Sequence, residues 1–142
     1  MRILAIDHGS KRMGLSISDE FQMLASPLEF IPAEPFGAFL ARLKEILREK
    51  EIGLMLVGMP RNMDGSYGPA ALKVQEFVAV LKEATPIPVR TWDERLTSVQ
   101  AHRFLTQANV KGDKRRGKVD GGAAAILLQS FLDSSGGAAP SS

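Results

Sequence analysis

The run Leu54-Met55-Leu56-Val57 constrains the fold of this chain more than any other feature of its sequence. Four consecutive apolar residues, closed by Gly58, are typical of a central β-strand that is buried on both faces. Amphipathic patterns predict one helix before this strand, over residues 35–50, and one after it, over residues 68–84. The predicted buried side of the second helix consists of Leu72, Phe77, Val80 and Leu81. Because a strand buried on both faces needs helices to cover it, the pattern predicts an α/β domain.

Further strands are predicted on both sides of this unit. β-Prone residues between turn residues indicate strands over residues 2–7, 13–18, 23–30 and 89–92, and apolar and polar residues alternate in the second of these. Pro27 marks the third of these as an edge or irregular strand. Two more helices are predicted, over residues 97–108 and 119–133. We therefore expect a mixed five-stranded sheet with helices on both faces, in one domain over residues 1–133, and a disordered tail over residues 134–142.

Composition excludes some classes of protein and leaves others open. The chain has 142 residues and no cysteine, which excludes disulfides and thiolate metal sites. The apolar run at the N-terminus is too short for a signal peptide or a membrane span, so we expect a cytoplasmic protein. The net charge of +2 does not by itself indicate nucleic-acid binding. Five basic residues do cluster over residues 111–118, and they could contact phosphates or form an ordinary solvated surface.

Acidic residues stand at the predicted ends of two strands. Asp7 ends the first strand, and Asp93 and Glu94 follow the fifth. Since sites in such sheets form beyond the carboxyl ends of parallel strands, these carboxylates would meet if their strands are parallel neighbours. Mg²⁺ prefers oxygen ligands, and a pair of such ions can flank a scissile phosphate. The alternatives are a turn role for Asp7 and, for Glu94, an ion pair with Arg95 or with a lysine of a loop.

A third acid, Asp120, stands at the start of the last predicted helix. A helix cap or a partner of the helix dipole is its ordinary interpretation. Gly121 and Gly122 follow it, and two glycines in a first turn indicate either close approach of another group or tight packing on the sheet. We expect a structural role for His8, because strand alternation should direct its side chain away from that of Asp7.

Four stretches in this order resemble the motifs of one protein family. Ile6–Leu15 resembles the opening strand and hairpin of the YqgF family, also called RuvX and associated with Holliday junction resolvases. Val57–Gly65 resembles the family's loop of glycine, proline and asparagine, and Trp92–Ser98 resembles its Asp-Glu-Arg-Leu-Thr motif. Val119-Asp120 before Ala123-Ala124 resembles its final acidic helix. The resemblance covers residues 1 to about 133.

This resemblance implies an RNase H-like fold and a metal-dependent nuclease that uses Mg²⁺ or Mn²⁺. It implies cytoplasmic maturation of the 5′ end of pre-16S rRNA, with cleavage of Holliday junction DNA as the alternative. Asp7, Glu94 and Asp120 would be the catalytic and metal-binding acids. One departure concerns Gly121-Gly122, which stands where the family usually carries larger residues.

Nucleic-acid contacts are expected from the groups around these acids. The expected residues are Lys11, Arg12, Asn62, Arg95, Lys114, Arg115, Arg116 and Lys118. Two other functions stay open: a phosphate-binding or ATP-hydrolysing module, because Asp7-x-Gly9-Ser10 resembles a phosphate loop, and a non-catalytic RNA-binding factor. The sequence does not decide between RNA and DNA, or between a monomer and a dimer.

Overall fold

A computed structural model describes residues 1–62, 64–94 and 115–136, and for residues 115–121 and 135–136 it describes the backbone alone. The strands are β1 (Arg2–Asp7), β2 (Arg12–Ser18), β3 (Ala25–Pro32), β4 (Ile52–Met59) and β5 (Val89–Asp93). The helices are α1 (Phe36–Glu49), α2 (Pro69–Ala84) and α3 (Arg115–Gly136). The predicted helix over residues 97–108 lies outside the described residues, as do residues 137–142 of the predicted tail.

The five strands form one mixed sheet in the order β3-β2-β1-β4-β5. The pairs β1–β2 and β2–β3 are antiparallel, whereas β4 runs parallel to both β1 and β5. Ile6 is level with Val57 on β4, and Val57 is level with Thr91 on β5. The carboxyl ends of β1, β4 and β5 therefore meet at one edge of the sheet. This arrangement confirms the predicted fold class.

Alternate residues of the central strands enter two separate cores. On one face, Leu4, Ile6, Met55 and Val57 pack with residues of α1 and α2, which include Phe39, Leu43, Phe77 and Leu81. On the other face, Ile3, Ala5, Leu54 and Leu56 pack with residues of α3, which include Leu128 and Phe131. β4 is therefore buried on both faces, as its continuous apolar run predicts.

The buried side of α2 differs from the prediction. Leu72 and Val80 are 57% and 41% exposed. The buried residues are Ala71, Val74, Phe77, Val78 and Leu81. Apolar residues lie nearly all round this helix, so periodicity alone does not identify the face that packs on the sheet.

The bounds of β3 and α3 also differ from the prediction. β3 begins two residues later than predicted, because the Asp19 carboxylate accepts hydrogen bonds from the backbone N–H groups of Phe21, Met23 and Leu24 and holds them in a turn, and it also ends two residues later. α3 begins four residues earlier than predicted and ends three later. Residues 115–118 are therefore helical, which suits Arg115, Arg116 and Lys118, whereas Gly117 is a poor helix former. Ser134, predicted as the start of the tail, lies in the last turns of the helix.

Among the described residues, no helix has the length and apolar character needed to span a membrane.

Candidate active site

Asp7 and Glu94 line the same cleft at the carboxyl edge of the sheet. Asp7 is the last residue of β1 and Glu94 follows β5 directly, so β4 lies between them. Gly58 on β4 leaves room for the glutamate: a Cβ built at Gly58 would lie 2.8 Å from Glu94 Oε2 and 3.3 Å from Glu94 Cγ. The Glu94 side chain therefore lies against the backbone of β4, on the way toward Asp7.

The electrostatics of this pair fit a cation site. Burial raises the pKa of Asp7. Burial also raises the pKa of Glu94, and the negative charges of Asp7 and then Asp93 raise it further. Two neighbouring carboxylates that repel each other would be stabilised in their charged forms by a cation between them, and oxygen donors suit Mg²⁺ or Mn²⁺. No group of three or more possible ligands (His, Cys, Asp or Glu) is found among the side chains that the structure describes.

The carboxylate pair separates two clefts. The smaller one, of about 230 Å³, lies against α3 and is lined by Asp7, Glu94, Ala123, Ile126 and Leu127. The larger one, of about 400 Å³, lies toward α2 and is lined by Asp7, His8, Ser10, Pro60, Pro69, Ala70, Lys73, Val74 and Glu94. One side of the pair is thus mainly apolar, whereas the other offers the Ser10 hydroxyl and the Lys73 ammonium group.

Hydrogen bonds fix α3 across the sheet and so define the apolar side. Ser16 Oγ donates to the carbonyl oxygen of Ala124 at 2.9 Å. Further along α3, Gln129 Oε1 accepts from the Ala25 N–H at 2.9 Å, and its Nε2 donates to the carbonyl oxygen of Met23 at 3.0 Å. These contacts hold the helix where Ala123 and its neighbours line the cleft.

The third predicted acid lies in a part of α3 whose side chains are not described. Asp120 belongs to the helix, together with Arg115, Arg116 and Lys118, which were expected in a loop and are helical instead. Arg95 and Lys114 lie outside the described residues. Gly122 is described: a Cβ there would meet no described atom within 4 Å, so neither close approach nor tight packing by these atoms accounts for that glycine.

Three predicted nucleic-acid contacts lie away from the described lining of both clefts. The Arg12 guanidinium carbon lies 4.6 Å from the centroid of the Phe30 ring. Lys11 is exposed in the turn before β2, and its carbonyl oxygen accepts from the Ala33 N–H at 2.9 Å. Asn62 Nδ2 donates to Ser66 Oγ at 3.0 Å, so this amide shapes its own loop.

Other residues line the site although they were not predicted to do so. The ring of His8 packs 4.9 Å from that of Phe77, and burial together with the Lys73 charge lowers the pKa of the imidazole. Strand alternation continues through His8, because its ring contacts Phe77, which belongs to the same core as Leu4 and Ile6. Lys73 lies in the second turn of α2. A helix that follows a central parallel strand begins at the carboxyl edge of the sheet, where the site lies. This position of the first turns of α2 is the signal that would have identified Lys73 as a residue of the site.

Known proteins are similar to this chain over nearly its whole length. A relative from Halothermothrix orenii, named "Putative pre-16S rRNA nuclease", is 41% identical over 133 residues, which cover 94% of this chain and 95% of the relative. A relative of the same name from Symbiobacterium thermophilum is 42% identical over 142 residues, or 100% of this chain and 99% of the relative. Among solved structures, RuvC of T. thermophilus in complex with a Holliday junction superposes with a TM-score of 0.61 at 18% identity, covering 99% of each chain.

The likeness to RuvC shows the RNase H-like fold, and the family is decided by sequence. The family model described as "RuvX: Holliday junction resolvase" matches residues 1–134, a span that contains Asp7, Glu94 and Asp120. With both relatives matching over nearly their whole length, the resemblance seen in the four motifs is confirmed, and the chain belongs to the RuvX family.

Proposed function

We propose that this chain is a metal-dependent nuclease that hydrolyses phosphodiester bonds at the cleft between Asp7 and Glu94. The observation that carries the proposal is the convergence of these two carboxylates, both with raised pKa values, at the carboxyl edge of the sheet. Membership of the RuvX family and the nuclease names of both relatives support the same reaction.

Asp7, Glu94 and Asp120 are the proposed catalytic and metal-binding residues, with Mg²⁺ or Mn²⁺ as the ion. Position 120 is one turn before Ala123 and seven residues before Leu127, and these spacings place all three on one side of a helix. Ala123 and Leu127 both line the smaller cleft, which supports Asp120 as the third ligand. When bound, the divalent ion activates water and stabilises the leaving oxygen.

The surroundings of the pair suit a phosphodiester substrate. Ala123, Ile126 and Leu127 give one side of the carboxylates an apolar lining. On the other side, Lys73 supplies a positive charge for a substrate phosphate. The wider nucleic-acid contacts that we propose are Lys11, Arg12, Asn62, Arg95, Lys114, Arg115, Arg116 and Lys118. Asn62 contacts Ser66 within its loop, and Arg12 contacts Phe30 beside the hairpin. The simplest role for these two residues is therefore indirect, through the shape of the loop and of the hairpin.

The proposed substrate is pre-16S rRNA, cleaved near its 5′ end in the cytoplasm, because both relatives carry the name of that nuclease. Branched DNA is the second candidate, favoured by the description of the family as Holliday junction resolvases. A non-catalytic RNA-binding role would need neither a metal ion nor the Asp7 carboxylate.

One set of assays separates these candidates. The wild type, Asp7→Asn and Glu83→Gln are incubated with Mg²⁺ or Mn²⁺ and either a 5′-extended 16S rRNA fragment or a four-way DNA junction. Glu83 is an exposed carboxylate on the last turn of α2 and serves as the control. We expect the wild type and Glu83→Gln to cleave the RNA and Asp7→Asn to be inactive. Cleavage of the junction alone would favour the second candidate, and undiminished cleavage by Asp7→Asn would disprove the assigned site.

A further inference from the structure

The loop between β4 and α2 carries an aromatic side chain that the proposed reaction does not use. Tyr67 is 51% exposed, a large accessible area for an aromatic residue. The guanidinium carbon of Arg61 lies 4.5 Å from the centroid of the Tyr67 ring, in a cation–π contact. One face of the ring is therefore supported by Arg61, while much of the side chain remains open to a ligand.

Arg61 is itself fixed in place by two other segments. Its Nε donates to the carbonyl oxygen of Gly65 at 3.0 Å, and its Nη1 donates to Asp93 Oδ2 at 3.4 Å. Gly65 has a φ of 92°, a left-handed conformation that favours glycine, and this conformation shapes the turn whose carbonyl group faces Arg61. The guanidinium group thus joins the loop to the end of β5, and the ring rests on a preorganised support, which lowers the entropic cost of binding.

The pair lies beside the larger cleft at the carboxylates. Pro60, which precedes Arg61, and Pro69, two residues after Tyr67, both line this cleft. Since consecutive Cα atoms are about 3.8 Å apart, the Cα atoms of Tyr67 and Pro69 are at most about 8 Å apart. The third link is Asp93, which holds Arg61 and directly precedes Glu94. A nucleotide near the phosphate bound at Asp7 and Glu94 would therefore have its base within reach of Tyr67.

We propose that Tyr67, supported by Arg61, is a stacking platform for one unpaired nucleobase of the substrate. The proposal rests on the proposed function, and it adds that the substrate is single-stranded or open next to the cleaved bond. A base inside a continuous duplex is already stacked on both faces, whereas an unpaired base can place its π-face on an aromatic ring. Stacking of this kind tolerates any base, so the platform selects an open strand and not a sequence.

The direct test measures binding to a fluorescent base analogue. Single-stranded RNA with 2-aminopurine at successive positions is titrated, with Mg²⁺ present, against Asp7→Asn and against Asp7→Asn combined with Tyr67→Ala, Tyr67→Phe or Phe21→Ala. Asp7→Asn prevents cleavage during the titration. Phe21 is a matched control because it is an exposed aromatic residue, 80% accessible, in the turn after β2 at the opposite end of the sheet.

We expect quenching at one position of the RNA and about 10-fold weaker binding with Tyr67→Ala, as for the loss of one stacked base. The variants with Tyr67→Phe or Phe21→Ala should bind the single strand as tightly as Asp7→Asn alone. For a duplex of the same sequence, the variant with Tyr67→Ala should have the same affinity as Asp7→Asn alone. Equal loss of affinity for duplex and single strand would overturn the platform, since it would indicate a general effect on the loop.

Failure of the platform and failure of the nuclease are distinguishable. If the Asp7-containing wild type cleaves RNA but Tyr67→Ala changes neither KM nor the quenching, the platform is wrong and the nuclease assignment stands. If the position-specific quenching depends on Tyr67 but no substrate is cleaved, the platform is supported and the nuclease assignment is wrong. Thermal unfolding of each variant verifies that a loss of binding does not reflect loss of the fold.

Discussion

Glu94 Oε2 lies so close to Gly58 that a Cβ at that glycine would stand 2.8 Å from it. This contact is how a side chain after β5 approaches Asp7 on β1 although β4 lies between the two strands. A larger residue at the end of β4 would separate the carboxylates while leaving the sheet intact. β4, the middle strand of the parallel unit, therefore contributes to the site because Gly58 has no side chain.

Gly58→Ala should lower cleavage strongly while changing stability little. The new Cβ would displace the flexible end of Glu94, and it would also lie 3.1 Å from Leu127 Cδ2. We expect a loss in kcat of about 10-fold or more, because a misplacement of about 1 Å in a catalytic group has effects of this order or larger. Initial rates on the 5′-extended RNA and thermal unfolding of the same sample measure both effects.

Gly37→Ala is the matched control for that substitution. Gly37 lies in the first turn of α1, where a Cβ would meet no described atom within 4 Å. Alanine is better than glycine in a helix by up to about 1 kcal/mol, so this variant should be as stable as the wild type or more so, with unchanged cleavage. If Gly58→Ala retained the wild-type rate, Glu94 would not be held in a catalytically required position.

Removal of either carboxylate should weaken binding of Mn²⁺. Asp7→Asn and Glu94→Gln each remove one anionic oxygen ligand and the repulsion that a bound cation would relieve. We expect each variant to bind Mn²⁺ at least about 10-fold more weakly than the wild type. Loss of even an indirect partner of a metal ligand lowers metal affinity by about 10- to 100-fold. Isothermal titration with MnCl₂ measures this, with Glu83→Gln as the control. Equal affinity in all four proteins would place the metal elsewhere.

Glu94→Gln should also change how stability depends on pH in the metal-free protein. The folded state raises the pKa of Glu94 above its ordinary value of 4.5. Above the raised pKa, the Glu94 carboxylate is charged in the folded and in the unfolded protein. Only the folded protein then has the free-energy cost of burying this charge and of its repulsion by Asp7. As the pH falls through the raised pKa, the folded protein takes up the proton first and this cost is relieved; below pH 4.5 both states are protonated.

The expected result is therefore a Tm difference that depends on pH. With EDTA present, Glu94→Gln should unfold a few degrees above the wild type near neutral pH, and the difference should shrink toward zero as the pH falls below the ordinary pKa of glutamate. Thermal unfolding of both proteins in a pH series provides the measurement, and Glu83→Gln should show no such trend. A Tm difference that stays constant across the series would contradict the raised pKa.

The elements that form the site could largely be predicted from local sequence. The apolar run of β4 and the turn residues after β1 and β5 are local signals, and they place Asp7 and Glu94 at strand ends. The identity of the family follows from four short motifs in order. These features depend on residues close together in the chain, for which periodicity and turn chemistry are informative.

The contacts between distant residues could not be predicted in the same way. Arg61 and Asp93 are 32 positions apart, and nothing in the local pattern of either indicates the pairing. Leu72 is apolar yet exposed, because the direction in which α2 faces is decided by packing on the sheet. His8 lines the larger cleft because α2, whose Phe77 its ring contacts, packs on that face, and strand alternation gives no information on this long-range contact. Each of these depends on tertiary structure that overrides the local preference.

Gln129 should contribute more to stability than any exposed polar residue of α3. This buried side chain, 5% exposed, satisfies the Ala25 N–H and the Met23 carbonyl group, and so joins α3 to the start of β3. Gln129→Met would fill similar space but leave those backbone groups without their partner, at a cost of about 1–3 kcal/mol in the free energy of unfolding. Urea unfolding should show a lower midpoint with an unchanged m value.

Asp133→Asn separates the two kinds of contact that Gln129 makes. Gln129 Nε2 also donates to Asp133 Oδ1 at 3.1 Å, but Asp133 is exposed, so this substitution should change the free energy of unfolding by no more than about 0.5 kcal/mol. Under conditions where Gln129→Met remains folded, its cleavage rate should be close to that of the wild type, because the Ser16 bond to Ala124 still fixes α3 beside the smaller cleft. A large loss of rate in the folded variant would instead show that the docking of the whole helix, and not of its first half alone, determines the geometry at Asp7 and Glu94.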